Sequence, residues 1–130
     1  MINRADIFRK IAGTLGRWKD ISFAYVHGPV LDSDAPHDSD VAVYLKEVAF
    51  SQLECGGSVS LDVAIPLELE LEESLGHPVD LQVLNRAPLP FRARVVTQRR
   101  TVVDNDPAAR ADFEYRSRYE YFDFRPRREE

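Results

Sequence analysis

The sequence contains one cysteine, one tryptophan and one methionine, and it has no long apolar run. With a single thiol, Cys55, the chain cannot close an internal disulfide, and the lack of CxxC or Cys/His spacing argues against a structural zinc site. The N-terminal residues carry charges throughout and have no apolar core of signal-peptide length. No stretch approaches the length of a membrane span. These features predict a cytoplasmic protein without a membrane segment.

Acidic residues also outnumber basic ones. The net charge is -5 and the isoelectric point is near 5.2, which argues against direct binding to a nucleic-acid backbone. The arginines cluster in the last third of the chain, whereas acidic residues concentrate at 32–40 and 68–73. This dipolar layout suits an oppositely patterned protein partner, although a solvated surface is the commoner reason for such a pattern.

The length of 130 residues predicts one domain with one core. We assign residues 1–126 to that domain and residues 127–130 to a charged C-terminal tail. A hydrophobic fraction of 44% with 30% charged residues is ordinary for a globular protein.

Hydrophobic periodicity, capping residues and turn signals predict alternating helices and strands. The predicted helices are 2–15, a short piece within 49–60 that is broken by Gly56-Gly57, 65–75, 89–98 and 108–122; the predicted strands are 21–26, 41–45, 79–84 and 101–103. This order predicts an α/β or α+β domain, with a small mixed β-sheet and helices packed mainly on one face. The strand at 21–26 has almost no polar side chain, which predicts a central position covered on both faces.

Two stretches allow more than one interpretation. The run LELELE at 67–72 alternates like a strand, but leucines four residues apart and the following Gly76 favour a helix. In the last helix, Tyr115, Tyr119 and Phe122 share one face. We predict that they form an aromatic core stripe, with the alternative that the tyrosine hydroxyls face a partner.

The most informative stretch runs from Phe23 to Leu45, where an apolar run, an acidic loop and a second apolar run follow one another. The loop carries Asp32, Asp34, His37, Asp38 and Asp40. Carboxylates at strand ends can hold two divalent cations that align a nucleoside triphosphate for in-line transfer. That chemistry needs two carboxylates two residues apart on one strand face, and a third from a neighbouring strand. The three histidines share no spacing, and we expect each to be structural or exposed.

The segments VHGP at 26–29 and DSDVAVYL at 38–45 resemble the hallmark of the minimal nucleotidyltransferase family, in the DNA polymerase beta-like superfamily. That hallmark is an apolar strand ending in Gly-Ser, a loop, and Ser-Asp-x-Asp entering the next strand. Asp80 matches the third carboxylate of the family. The segment 106–126 is similar to the branch found as antitoxins beside HEPN toxins. The resemblance covers nearly the whole chain and implies the polymerase beta palm-like nucleotidyltransferase fold.

The resemblance also implies an activity, cofactors and a partner. Active members of the family transfer AMP from ATP to a tyrosine of a HEPN toxin, with Mg²⁺. In that assignment Asp40 and Asp80 are the catalytic carboxylates and metal ligands, and Gly28 approaches the ATP phosphates. The implied partner is a HEPN-family toxin, and homo-oligomerisation is left open.

Two departures from the family pattern bear on activity. Pro29 stands where the family has serine, which removes an N–H and a hydroxyl that could contact phosphates. In the gap-free alignment Ala42 occupies the second carboxylate position, which weakens Mg²⁺ binding. We therefore expect a toxin-binding antitoxin whose AMP transfer is impaired or lost. The alternatives are an active Mg²⁺-dependent nucleotidyltransferase that uses Asp38 with Asp40 and Asp80 on a protein or small molecule, and a regulatory module without nucleotide chemistry.

Overall fold

A computed structural model of the protein describes residues 3–34 and 36–124. The helices are α1 (Arg4–Leu15), α2 (Glu47–Gly56), α3 (Ile65–Leu75), α4 (Leu89–Thr97) and α5 (Pro107–Phe124), and the strands are β1 (Ile21–His27), β2 (Ser39–Leu45), β3 (Val79–Val83) and β4 (Arg99–Asp104). A 3₁₀ turn at Gly28–Asp32 follows β1, and a π-helical turn at Ser60–Ala64 runs directly into α3. Across the described ranges, no helix is both long and apolar enough to cross a membrane.

The four strands form one mixed sheet in the order β3-β2-β1-β4. The strand β1 pairs antiparallel with both β2 and β4, whereas β2 pairs in parallel with β3. A parallel pair needs a long connection, and α2 and α3 provide it here. As predicted, β1 is central, and its residues from Ile21 to Val26 are all buried. The mixed-sheet α+β fold class is thereby confirmed.

One core cluster fills the face of the sheet that is covered by α1 and α3. Ile7 and Ile11 of α1 meet Leu67 and Leu71 of α3 over this face, and Phe50 of α2 adds to the same cluster. Three of the five helices therefore contribute to this side.

The opposite face of the sheet has its own cluster beneath α4 and α5. Phe23 and Tyr25 of β1 and Ala42 of β2 pack there with Val95 of α4 and Phe113 of α5. Helices thus cover both faces, with the larger share on the α1 side. Because β1 contributes to both clusters, the two layers depend on the same strand.

Local signals predicted several element ends correctly. The Asn3 side chain accepts the N–H of Asp6 at 2.9 Å, which is the expected N-cap of α1. Gly76 ends α3 with a φ of +72°, a left-handed conformation that favours glycine, so the LELELE run is helical as predicted. At the start of α5, Asp106 accepts the N–H of Ala109 at 3.1 Å.

Other bounds differ from the prediction for non-local reasons. The short helical piece expected within 49–60 is present and ends at Gly56, but it begins two residues early, at Glu47, and the loop after it spans only residues 57–59 before the π-helical turn. The strand β4 extends on both sides of the predicted 101–103 because it pairs with β1 along most of its length. The predicted end of the last helix at Arg125-Pro126 and the tail boundary at residue 126 lie outside the described residues.

The aromatic core stripe predicted for α5 is wrong. Tyr115 and Tyr119 are 60% and 55% exposed, and their rings stack with centroids 4.2 Å apart on the outer surface. The helix instead buries Phe113 and Ser117, which are also four residues apart. Its rotation follows from the packing of Phe113 against aromatic rings of β1 and β2. The side chain of Phe122 lies outside the described part of the chain.

Candidate functional site

The predicted site carboxylates meet at one end of the sheet. Asp40 of β2 lies beside Asp80 of β3 in the parallel register, and it lies opposite His27 of β1 in the antiparallel register. Side chains paired in register point to the same face of a sheet. The fold therefore brings Asp40 and Asp80 together on the α4 and α5 side, with Asp40 half-buried and Asp80 exposed.

Gly28 lies directly against this carboxylate pair. Its φ is +80°, a left-handed conformation that glycine adopts without strain. A Cβ atom built on Gly28 would stand 2.7 Å from Oδ2 of Asp40, which is closer than van der Waals contact allows. A glycine is thus needed here for both the turn and the position of the Asp40 carboxylate. Pro29 comes next, in the 3₁₀ turn, and offers no N–H to a ligand.

The environment raises the pKa of Asp40. Partial burial of the carboxyl group is the main cause, and the charges of Asp80 and then Asp38 add to it. The charge of Asp38 therefore reaches Asp40, although Asp38 precedes β2. A bound cation would reduce the electrostatic repulsion between these carboxylates.

The position assigned by resemblance to the second carboxylate belongs to the core. Ala42 is fully buried in the cluster that includes Leu84 and Val95. Its register neighbour on β3 is Gln82, whose Nε2 donates to Oδ1 of Asp80 at 3.0 Å. The Gln82 amide thus occupies one carboxylate oxygen of the Asp40–Asp80 pair. At Ala42, β2 lacks the second carboxylate that two-cation transfer uses.

His27 is a member of the site that sequence reasoning missed. Its ring packs edge-on against Phe91, with centroids 5.9 Å apart, and its Nε2 is buried without a hydrogen-bond partner in the described ranges. Burial lowers the pKa of His27, Asp80 opposes that change and Arg94 adds to it, so the imidazole is neutral at pH 7. The strand-loop-strand pattern could have indicated this position, because the last residue of β1 lies opposite the start of β2 when the two strands pair.

Two further residues, His77 and Asp34, have local roles. The Nε2 of His77 lies 2.9 Å from Oγ of Ser39, which ties the loop before β3 to the start of β2. Asp34 is fully exposed and approaches Arg4 at 4.0 Å. Neither residue joins the Asp40–Asp80 pair.

The site offers oxygen ligands for one hard cation. Mg²⁺ commonly binds one or two protein carboxylates, with waters and substrate phosphates as its other ligands, so Asp40 and Asp80 are the residues that would hold it. Over residues 3–34 and 36–124 no group of three Asp, Glu, His or Cys side chains is placed to bind a metal ion, so Asp38 does not complete such a group. Asp40 and Asp80 would supply two carboxylates to one Mg²⁺, whereas the two-cation arrangement of in-line transfer uses a third carboxylate.

Comparisons with known proteins agree with this geometry. The family model described as "Polymerase beta, Nucleotidyltransferase" matches residues 9–108. No curated protein matches the sequence.

Solved structures are similar over most of the chain. One is an MNT antitoxin in complex with the tri-AMPylated HEPN toxin of Shewanella oneidensis, with a TM-score of 0.67, 20% identity, and coverage of 92% of this chain and 87% of that chain. A toxin–antitoxin structure with AMP-PNP has a TM-score of 0.68 and 21% identity, with coverage of 89% and 87%. The toxin–antitoxin MntA–HepT has a TM-score of 0.63 and 19% identity, with coverage of 92% and 87%. At these identities the likeness shows a common fold.

The match of the family model over residues 9–108 is more than half of the chain, and it includes Gly28, Asp40 and Asp80. With the mixed sheet and the paired carboxylates, it leads to one conclusion: the chain belongs to the polymerase beta nucleotidyltransferase family.

Proposed function

We propose that this protein is an antitoxin-type member of the family that acts by binding a HEPN-family toxin. The observation that carries the proposal is the likeness, over 92% of this chain, to an MNT antitoxin in complex with a HEPN toxin. The fold is shared along most of both chains, so the helices and strands of such an antitoxin have counterparts here. The negative net charge, which disfavours nucleic acid, is consistent with a protein partner.

We further propose that AMP transfer is impaired or lost in this copy. Phosphoryl and nucleotidyl transfer depend on positive charge and donors placed around the phosphates. Here Ala42 replaces a carboxylate, Pro29 lacks an N–H, and Gln82 already donates to Asp80. Mg²⁺ bound by Asp40 and Asp80 would supply neutralising charge, but the residues needed for a second cation are missing.

The test combines the purified protein with a HEPN-family toxin, labelled ATP and Mg²⁺. We expect a stable complex by size-exclusion chromatography, inhibition of the ribonuclease activity of the toxin, and no AMP incorporation above background. Asp40→Ala and Asp80→Ala should inhibit the toxin as well as the wild type does. Robust labelling of the toxin that disappears in Asp40→Ala would overturn the proposed loss of transfer, and failure to bind any such toxin would overturn the antitoxin function.

The second candidate is an active transferase that uses Asp38 together with Asp40 and Asp80. It is favoured by one observation, which is that the charge of Asp38 contributes to the raised pKa of Asp40. Calorimetric binding of ATP with Mg²⁺ in the absence of any partner, abolished by Asp38→Asn but unchanged by Asp32→Asn, would favour it over the binding antitoxin.

A further inference from the structure

The outer surface of α3 and of the π-helical turn before it carries an apolar stripe. Leu61, Ile65 and Leu69 are four residues apart and are 69%, 46% and 59% exposed. Leu67 and Leu71 lie on the inner side of the same segment and fill the core. The stripe is therefore not required for the packing of α3, and a row of exposed aliphatic side chains on one helix face is typical of an interaction surface.

The surroundings of this stripe carry negative charge. From residue 47 to residue 85 the sequence contains no lysine or arginine. Exposed Glu73 continues the four-residue spacing at the C-terminal end of the stripe, and exposed Asp62 lies beside its N-terminal end. Two basic residues contact α3 from the α1 side: Arg17, which follows α1, binds Glu70 at 2.5 Å, and Lys10 of α1 donates to the backbone carbonyl of Ser74. An apolar stripe bordered by carboxylates is complementary to a partner surface whose apolar side chains are bordered by basic ones.

The stripe lies on the opposite side of the sheet from the Asp40–Asp80 pair. The helix α3 packs on the cluster formed with α1, whereas Asp40 and Ala42 point to the side of α4 and α5. A partner seated on the stripe therefore leaves the carboxylate pair uncovered. Binding through the stripe and chemistry at the pair are separable by mutation.

We propose that Leu61, Ile65 and Leu69 form a docking surface for a helix of the toxin partner, whose apolar side chains are framed by Lys or Arg. This inference rests on the proposed antitoxin function and names the surface that carries it. Eight residues of helix rise about 12 Å, which is enough to seat two turns of a partner helix. Apolar contacts supply affinity, and the acidic border orients the partner and speeds its association.

The central experiment compares the toxin affinity of the double variant Leu61→Gln/Leu69→Gln with that of the wild type by isothermal titration calorimetry. Glutamine keeps helix propensity, and both positions are exposed, so the fold should be retained and is verified by circular dichroism. We expect the Kd to rise by about tenfold or more. Val48→Gln is the matched control, because Val48 is 72% exposed but lies on α2, and its Kd should stay within about twofold of the wild type.

A second variant tests the charge component. Glu73→Lys should lower the association rate constant and flatten its dependence on salt concentration, because attraction between the acidic border and a basic partner is screened by ions. Asp34→Lys makes the same charge change at a fully exposed position outside α3, and it should change both quantities less.

The outcomes distinguish this inference from the proposed function. If the wild type binds no HEPN toxin, the proposed function itself fails. If the wild type binds and the double variant binds equally well, the function stands and the docking surface is overturned. If ultracentrifugation shows a wild-type oligomer that the double variant converts to a monomer, with toxin affinity unchanged, the occupant is a second copy of this chain and the assignment to the toxin is overturned.

Discussion

Asp40 illustrates how a single side chain connects the scaffold to the site. The left-handed turn at Gly28 leaves room for its carboxylate, and the parallel register places Asp80 beside it. The same contacts that bring the two carboxylates together disfavour the ionised form of Asp40, so its pKa is raised, mainly by burial. A group with a raised carboxyl pKa binds more protons in the folded chain than in the unfolded chain, which lowers stability at neutral pH.

Replacing this carboxylate should therefore stabilise the protein. Above the ordinary aspartate value of 3.8, stability falls as pH rises through the folded-state pKa of Asp40. Asp40→Asn is expected to raise the melting temperature at pH 7 by roughly 2 °C or more, with the gain vanishing at pH values below the unfolded pKa. Scanning calorimetry across pH measures this. Asp34→Asn is the control at a fully exposed position and should change little, and a lower melting temperature for Asp40→Asn at pH 7 would contradict the prediction.

At the scale of elements, α5 is attached to the sheet through a partly buried ionic network. The carboxylate of Glu114 accepts the Tyr25 hydroxyl at 2.6 Å and two N–H groups of Arg99 at 3.0 and 2.9 Å. Burial alone would raise the pKa of Glu114, but the hydrogen bonds from Tyr25 and Arg99, with a further contribution from Arg110, outweigh it and lower the pKa. Glu114 therefore joins three elements, β1, β4 and α5.

Removing this charge should weaken the attachment of α5. Glu114→Gln is expected to cost about 2 kcal/mol in the free energy of unfolding at pH 7, because Arg99 loses its charged partner and an NH2 group replaces one of the two acceptor oxygens. The folded-state pKa of Glu114 is depressed, so the stabilisation is present above the unfolded value of 4.5 and is lost as pH falls through the folded pKa. Urea denaturation at pH 7 and at pH 3 measures both effects.

The control for Glu114→Gln is Asp112→Asn on the same helix. Asp112 is 63% exposed and pairs with Arg116 one turn away, so its loss should cost less than about 0.5 kcal/mol. Equal effects of the two substitutions would show that the network does not hold α5 in place.

The elements that could be predicted from sequence are those with local signals. Asn3 marks a helix start through its side chain, and Gly76 marks a helix end through its backbone preference. The four-residue spacing of leucines correctly favoured a helix over a strand for α3. The orientation of α5 could not be predicted, because Tyr115 and Phe113 are equally aromatic and only contacts with β1 and β2 decide which is buried. The proximity of Gln82 to Ala42 likewise depends on a parallel register between distant strands.

The site shows the same division between local and non-local information. Gly28, Asp40 and Asp80 could be assigned because the resemblance carries them residue by residue, and the fold places them together. His27 was missed since its position in the site depends on the register of β1 against β2. Ala42 is buried because α4 and α5, which come much later in the sequence, pack over it.

At the scale of the whole molecule, the two core clusters share β1 and should unfold together. Trp18, the one tryptophan, packs against the α1 side, and its Nε1 donates to Glu70 at 3.2 Å. Its fluorescence therefore reports on that layer, whereas far-ultraviolet circular dichroism reports on all helices. We expect both signals to give one coincident urea transition, as for a two-state domain of this size. Separated midpoints would indicate that the α4 and α5 layer unfolds independently.

The late position of α5 in the chain has a consequence for biosynthesis. The ribosome releases Phe23 and Tyr25 early, but Phe113, which packs against Phe23 in the finished fold, is added some ninety residues later. At about 5–20 residues per second, the aromatic side of the nascent hairpin waits roughly 4–18 s for its cover. During that interval the growing chain presents an apolar surface to the cytoplasm or to a chaperone, so its yield in a cell should depend on translation speed as well as on final stability.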